Sequence, residues 1–212
     1  VWTVKKISKK PAGADWQQWQ PTATPLFIKP LALAETLVGG QAFRWRAVPG
    51  EEGTWQGVWA NCVVRVRAGR AEQLEWTCPT MLAKQVAPGI EDYFATEVDF
   101  DQLADKLPWR TDAVLELRRQ EWPGLRLLRQ PLGETLLAFL CSSAKQIPHI
   151  AQICEKMATR FGEPLWGDIH ALPTWARLAE ISEADLRGCG LGYRARFIKQ
   201  TAMRLQQEPA WE

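Results

Sequence analysis

From Leu26 to Thr77 the apolar and polar positions repeat with a period close to two. In Gln41-Ala-Phe-Arg-Trp-Arg46, Phe43 and Trp45 fall on one side and Arg44 and Arg46 on the other. Thr54-Trp-Gln-Gly-Val-Trp59, Cys62-Val-Val-Arg-Val-Arg67 and Gln73-Leu-Glu-Trp76 follow, separated by turn clusters at Pro49-Gly-Glu-Glu-Gly53 and Ala68-Gly69. Short strands spaced 8–12 residues apart, with turn signals between them, predict an antiparallel meander of at least four strands.

After Pro79 the pattern changes. Ile90–Phe94, Phe100–Leu107 and Thr111–Arg119 read as short helices broken at Pro108 and Pro123, with Thr111 as an N-cap. Beyond residue 130 the chain reads as wholly helical. Leu136, Leu137 and Leu140 mark one helix, and Ile147, Ile150, Cys154, Met157 and Phe161 form an amphipathic stripe. Ser182-Glu-Ala-Asp185 resembles a capping box, with Gly188 and Gly190 as the stop. The last helix is expected from Tyr193 to Gln206, with Ile198, Ala202 and Leu205 inward. The expected class is α+β: a lead-in or tail over 1–25, an antiparallel sheet domain with flanking helices over 26–130, and an all-α domain over 131–212.

Composition narrows the class further. The chain is 46% hydrophobic and 24% charged, values of an ordinary globular protein. No window approaches the roughly 18 apolar residues of a membrane-spanning helix, and the start does not read as a signal peptide. Five cysteines without a CxxC pair argue against a disulfide framework or a zinc site. The expected compartment is therefore the cytoplasm with its nucleoid, or the nucleus in a eukaryote. The net charge of +2 is unevenly distributed. Residues 71–121 carry eleven acids against five bases, whereas residues 186–206 carry Arg187, Arg194, Arg196, Lys199 and Arg204 and no acid. Lys5, Lys6, Lys9, Lys10 and Lys29 face only Asp15 near the start. Basic poles on a nearly neutral chain suit a polyanion, although solvated helix faces produce such runs too.

Phosphate loops, zincin motifs and nucleophile elbows are absent. A Cys141–His149 nucleophile pair competes with an inert buried thiol, the stronger reading for a cysteine ending an apolar helix. Gly188-Cys-Gly-Leu-Gly192-Tyr-Arg-Ala-Arg196 follows a helix rather than a strand, which removes the dinucleotide reading. Two readings of that turn remain open. Tyr193 and Arg194 stand exposed to stack on a base and hold a phosphate, or the glycines merely cap a helix with Tyr193 packed inside.

Gly39-Gly-Gln-Ala-Phe-Arg-Trp45, Gly124-Leu-Arg-Leu-Leu-Arg-Gln130, Phe139-Leu-Cys-Ser-Ser143 and Leu191-Gly-Tyr-Arg-Ala-Arg-Phe197 resemble the 8-oxoguanine DNA glycosylases, in the family's order and at its intervals. The resemblance covers about Leu31 to Gln207. It implies a sheet domain joined to a helix-hairpin-helix domain that flips an oxidised guanine from duplex DNA and cuts its glycosidic bond. Flipping is required because the reacting bond is inaccessible in the stack. By resemblance, Gly40 offers the carbonyl that accepts the N7 hydrogen of 8-oxoguanine, and Tyr193 and Arg194 form the wedge. Arg196 and the loop carrying Lys145, Gln146 and His149 join them against DNA.

The chain departs from the family pattern in three places. Ala144 stands where an asparagine usually follows Cys-Ser-Ser, and His149 stands where many members place an arginine that reads the opposite cytosine. The family's lysine-bearing Leu-Pro-Gly-Val-Gly-type hairpin and its aspartate are not found between Val1 and Glu212. The expectation is an N-terminal piece of a bifunctional glycosylase and lyase, without a catalytic residue and inactive alone. It is expected to be monomeric, to need no cofactor or metal, and to bind duplex DNA containing oxidised guanine without touching membranes. Its unpartnered helices, including the Ile198 and Leu205 stripe, are expected to be exposed. A non-catalytic damage-binding module and a sheet domain for protein contacts remain as rivals.

Overall fold

The computed structural model describes residues 16–208; the lysine-rich start, with Lys5, Lys6, Lys9 and Lys10, lies outside them. Five strands form one antiparallel sheet in the order β1-β5-β4-β3-β2. They are β1 (Gln20–Pro21), β2 (Trp45–Ala47), β3 (Thr54–Trp59), β4 (Cys62–Ala68) and β5 (Leu74–Thr77). The expected meander is therefore present, and β1 is added to it. Part of the segment read as a tail closes the sheet edge, pairing Gln20 with Trp76 and Pro21 with Glu75. Proline is tolerated there because an edge strand can spare one donor. The lead-in also covers polar side chains of β4, with Arg65 over the Trp16 ring at 4.4 Å and Arg67 over Trp19 at 4.1 Å. Gly57 faces Trp45 across the β2–β3 pair, where a Cβ would fall 2.5 Å from the indole ring; only glycine lets that ring lie flat on the strand.

Two elements contradict the reading from sequence. Leu26–Thr77 is not strand throughout, because α1 (Pro30–Val38) lies between β1 and β2 and buries Ala32, Leu33, Thr36 and Leu37. Its apolar run lacks the polar spacing that marks a helical face, and the start signal is Pro30 in the first turn. Residues beyond 130 are not wholly helical either. A small hairpin, β6 (Pro164–Trp166) and β7 (Ile169–His170), turns through Gly167 at φ 55°. Its strands are too short to show a period.

The helices otherwise follow the expected order. They are α2 (Ala83–Tyr93), α3 (Phe100–Asp105), α4 (Ala113–Glu121), α5 (Leu132–Ser142), α6 (Ile147–Phe161), α7 (Trp175–Glu180), α8 (Glu183–Leu186) and α9 (Arg194–Gln207). The N-cap of α4 is Asp112 rather than Thr111; its carboxylate accepts from the Val114 and Leu115 N–H groups. Ser182 caps α8 as expected, accepting from the Asp185 N–H.

Two apolar cores result. One gathers Leu33, Trp45, Val64, Val66, Trp76, Ile90 and Phe94 under the sheet. The other gathers Leu137, Ile153, Met157, Leu178, Leu186, Leu191, Ile198 and Ala202 among the later helices. The expectation of an exposed Ile198–Leu205 stripe is corrected by this packing. Ile198 is fully buried in this second core, and Leu205 packs half-buried on it. All five cysteines are buried and unbridged. No helix of the described residues is long and apolar enough to cross a membrane.

Candidate nucleic-acid interface

The Gly39–Trp45 block lies where the two cores meet. Gly40 adopts φ 115°, and a Cβ there would come 3.0 Å from Ile147 Cδ1, at the start of α6. Glycine is required at that backbone angle. Among the described residues its carbonyl accepts no hydrogen bond. Gln41 fixes the loop from behind. Its amide nitrogen donates to the Thr36 and Arg126 carbonyls at 2.9 and 3.0 Å, and its Oε1 accepts from the Leu128 N–H at 2.9 Å. Arg44 ties the strand to the helical core, donating to the His170 carbonyl at 2.8 Å and pairing with Glu155 at 3.2 Å.

The α5–α6 turn stands beside Gly40. Ser143, Ala144, Lys145, Gln146, Ile147 and His149 are all exposed. Ala144 holds φ 52°, a left-handed angle more favourable for asparagine than for alanine. The third segment is the wide turn 187–193, where Gly190 and Gly192 take φ 91° and 58°. Tyr193 is 52% exposed and packs edge-on to Phe197 at 6.2 Å. Its hydroxyl reaches Ser143 Oγ at 3.2 Å. Gly40, the Ser143–His149 turn and Tyr193 thus form one continuous strip.

The strip resolves the two readings of the glycine turn in a mixed way. Tyr193 is outside, but Arg194 is not an exposed partner to it. Arg194 is only 5% exposed and donates to the Leu191 and Ser143 carbonyls. Most cations of the basic run 186–206 are engaged by the fold. Arg187 pairs with Glu183, Arg204 pairs with Glu208, and Lys199 donates to the Ala179 carbonyl. Arg196 is the one cation of that run that is exposed and makes no ion pair or hydrogen bond among the described residues.

A Cys141–His149 pair is ruled out by placement. Cys141 is fully buried, and its hydrogen bond with Cys154 together with burial pushes the thiol far above its ordinary value. His149 is on the surface. No cluster of three metal-ligating side chains occurs among the described residues.

Three supporting residues escaped the sequence reading. Besides Gln41 and Arg44, Arg126 lies buried over the Phe100 ring at 4.6 Å and donates to the Phe94 and Ala95 carbonyls at 2.7 Å each. Burial lowers its pKa. The only sequence signal was two arginines in the Gly124–Gln130 block, of which Arg129 faces solvent and pairs with Asp92 and Glu97.

A five-stranded antiparallel sheet joined to a set of helices, with a glycine loop at the seam, places the chain in a mixed α+β class. The sequence signature described as 8-oxoguanine DNA glycosylase, N-terminal domain, matches residues 25–136, and the chain belongs to that family. It is 29% identical over 202 residues to the N-glycosylase/DNA lyase of Saccharomyces cerevisiae, covering 85% of this chain and 51% of the yeast protein. It is 28% identical over 184 residues to the N-glycosylase/DNA lyase OGG1 of Arabidopsis thaliana, covering 84% and 50%. The chain therefore spans about half the length of these relatives. Among solved structures, MBOgg1 in complex with a low-affinity DNA ligand superposes with a TM-score of 0.74 at 27% identity, over 92% of this chain and 67% of that one. The apo 8-oxoguanine glycosylase/lyase of Clostridium acetobutylicum gives 0.72 at 27% identity, over 84% and 61%.

Proposed function

We propose that the strip recognises 8-oxoguanine in duplex DNA and holds it flipped from the stack. The observation that carries this reading is the convergence of three distant sequence blocks. A Cβ on Gly40 would lie 3.0 Å from Ile147 Cδ1, and Ser143 Oγ lies 3.2 Å from the Tyr193 hydroxyl, so the Gly40 loop, the exposed turn and the Tyr193 ring are neighbours on one surface. The Gly40 carbonyl is suited to accept the N7 hydrogen that separates the lesion from guanine, since leaving that acceptor unpaired inside a closed complex costs about 1–3 kcal/mol. The Tyr193 ring is suited to fill the vacated stack. Lys145, Gln146, His149 and Arg196 supply contacts to the backbone and to the opposite strand. The yeast and Arabidopsis relatives are named for glycosylase and lyase activity; in a protein of their length the same surface would present the base for cleavage of its glycosidic bond and of the abasic site.

The strip is assigned to recognition rather than to bond cleavage. Lys145 is the one lysine on the strip, and its place on the turn suits the orphaned strand rather than the sugar of the flipped base. The test is competition binding of 8-oxoguanine:cytosine against guanine:cytosine duplexes, with borohydride trapping in parallel. Preference for the lesion without a trapped crosslink is the expected result. Equal affinity for both duplexes would remove the recognition reading. A crosslink abolished by Lys145→Ala would reassign Lys145 to the chemistry and favour an enzyme over a binding module.

A further inference from the structure

Arg194 is the cation of the strip that DNA contact leaves unexplained. Its guanidinium is buried, no carboxylate pairs with it among the described residues, and its Nε has no hydrogen-bond partner. One terminal nitrogen donates to the Leu191 carbonyl at 3.3 Å, within its own turn. The other donates to the Ser143 carbonyl, 51 residues away in the chain. The same guanidinium lies 4.5 Å from the centroid of the Tyr193 ring. Burying a charge is costly unless it donates hydrogen bonds, and here both terminal nitrogens donate, to two separate turns. The planar fork sets the spacing of both carbonyls together, which a flexible ammonium cannot do.

We infer that Arg194 is a positioning residue: it cross-links the Ser143 and Leu191 turns and holds the Tyr193 ring at the surface as a preset wedge, while phosphate contact falls to Arg196. This rests on the reading of the strip as a DNA surface. It departs from the expectation from sequence, in which Arg194 stands exposed beside Tyr193 to hold a phosphate. A wedge held in place before DNA arrives loses less side-chain freedom on binding, and that is the advantage of burying a cation here.

The experiment has a DNA-free arm and a DNA arm, run on the whole chain with R194A, R194K and R196A. In the first, hydrogen exchange is followed by mass spectrometry. R194A should speed exchange at least tenfold in residues 139–146 as well as 187–193, leaving the 54–68 hairpin unchanged, with R194K intermediate and R196A like the wild type. Unchanged exchange in 139–146, or uniform acceleration along the chain, overturns the cross-link. In the second arm, a duplex carries 8-oxoguanine opposite cytosine with 2-aminopurine beside the cytosine, whose fluorescence rises as the stack opens. R194A and R194K at saturation should lose at least half of that rise and keep the wild-type slope of log affinity against log salt. R196A should keep the rise and flatten the slope by about 0.9, the value for one phosphate contact. A flattened slope in R194A makes Arg194 a phosphate ligand and overturns the inference. If the wild-type chain binds no duplex, the DNA reading fails, and the exchange arm still decides the cross-link.

Discussion

Replacing Gly40 with alanine perturbs both the fold and the proposed recognition, and the structure separates the two effects. At φ 115° a side chain is strained whatever space surrounds it, at roughly 1–3 kcal/mol. The added Cβ also meets Ile147 Cδ1 at 3.0 Å. That contact is the smaller effect, because Ile147 is 39% exposed and its terminal methyl has room to move. A total near 2 kcal/mol at roughly 2–4 °C per kcal/mol for a chain of this size lowers the melting temperature by about 4–8 °C. If the backbone relaxes, the carbonyl moves with it, and loss of one acceptor worth about 1–3 kcal/mol reduces lesion discrimination about tenfold or more. Thermal melting by circular dichroism and competition between 8-oxoguanine:cytosine and guanine:cytosine duplexes read the two effects. Ile147→Val in the Gly40→Ala background removes the offending methyl and should recover only a small part of the loss. Full recovery would show that crowding, not the backbone angle, demands glycine. Melting within about 1 °C of the wild type with discrimination intact would refute the assignment of Gly40 altogether.

Ala144→Asn should raise stability by a few tenths of a kcal/mol through its left-handed angle, read by melting. In the DNA assay it should sharpen preference for cytosine opposite the lesion by roughly 1–3 kcal/mol; an unchanged ranking of the four opposite bases counts against a reader at this position. Arg44→Ala strips a charged donor from the His170 carbonyl and from Glu155, so stability should fall by about 1.5–3 kcal/mol in denaturant melts. Glu134 accepts from the Ala60 N–H, yet burial outweighs that bond and raises its pKa. A carboxyl raised in the folded state favours folding most below its unfolded value, and that advantage fades as pH rises through the folded one. Glu134→Gln should therefore flatten the melting-temperature profile as pH rises above the ordinary carboxylate range; a profile parallel to the wild type's would refute the burial argument.

What was legible in the sequence follows from how strongly each element repeats its period. The β3–β4 hairpin pairs six residues of each strand across a two-residue turn at Ala60-Asn61, and α6 carries its stripe from Ile150 through Met157, so both were readable. Helix α1 hid inside a strand-like region because Leu31-Ala-Leu-Ala34 has no polar residue to show which face is buried. Pro88 inside α2 delayed the expected start of that helix to Ile90, since proline in an interior turn ordinarily breaks one. The β1 edge was read as tail because two residues paired with partners 56 and 54 positions away leave no local pattern. Site residues divide in the same way. Gly40 was assigned from the family resemblance and Tyr193 as an aromatic at a glycine turn, and the fold places both beside the Ser143–His149 turn.

Arginine was the residue type that sequence could not sort. The charge count from 186 to 206 treats five cations alike, but the fold spends one on two carbonyls, two on acids four residues away and one on a helix end, leaving Arg196. The same holds at the seam, where Arg44 and Arg126 read as strand-face and loop charges and are instead buried donors to backbone carbonyls. Carbonyls have no sequence signature, so their claims on arginine appear only when distant turns are brought together. That also explains why the strip belongs to neither core alone. Its glycine comes from the sheet side and its turn and wedge from the helical side, and Arg44 and Arg194 are the fastenings between the pieces. Cutting either should loosen the strip before it weakens the cores, and a loss of lesion discrimination that tracks core unfolding rather than preceding it would show the opposite.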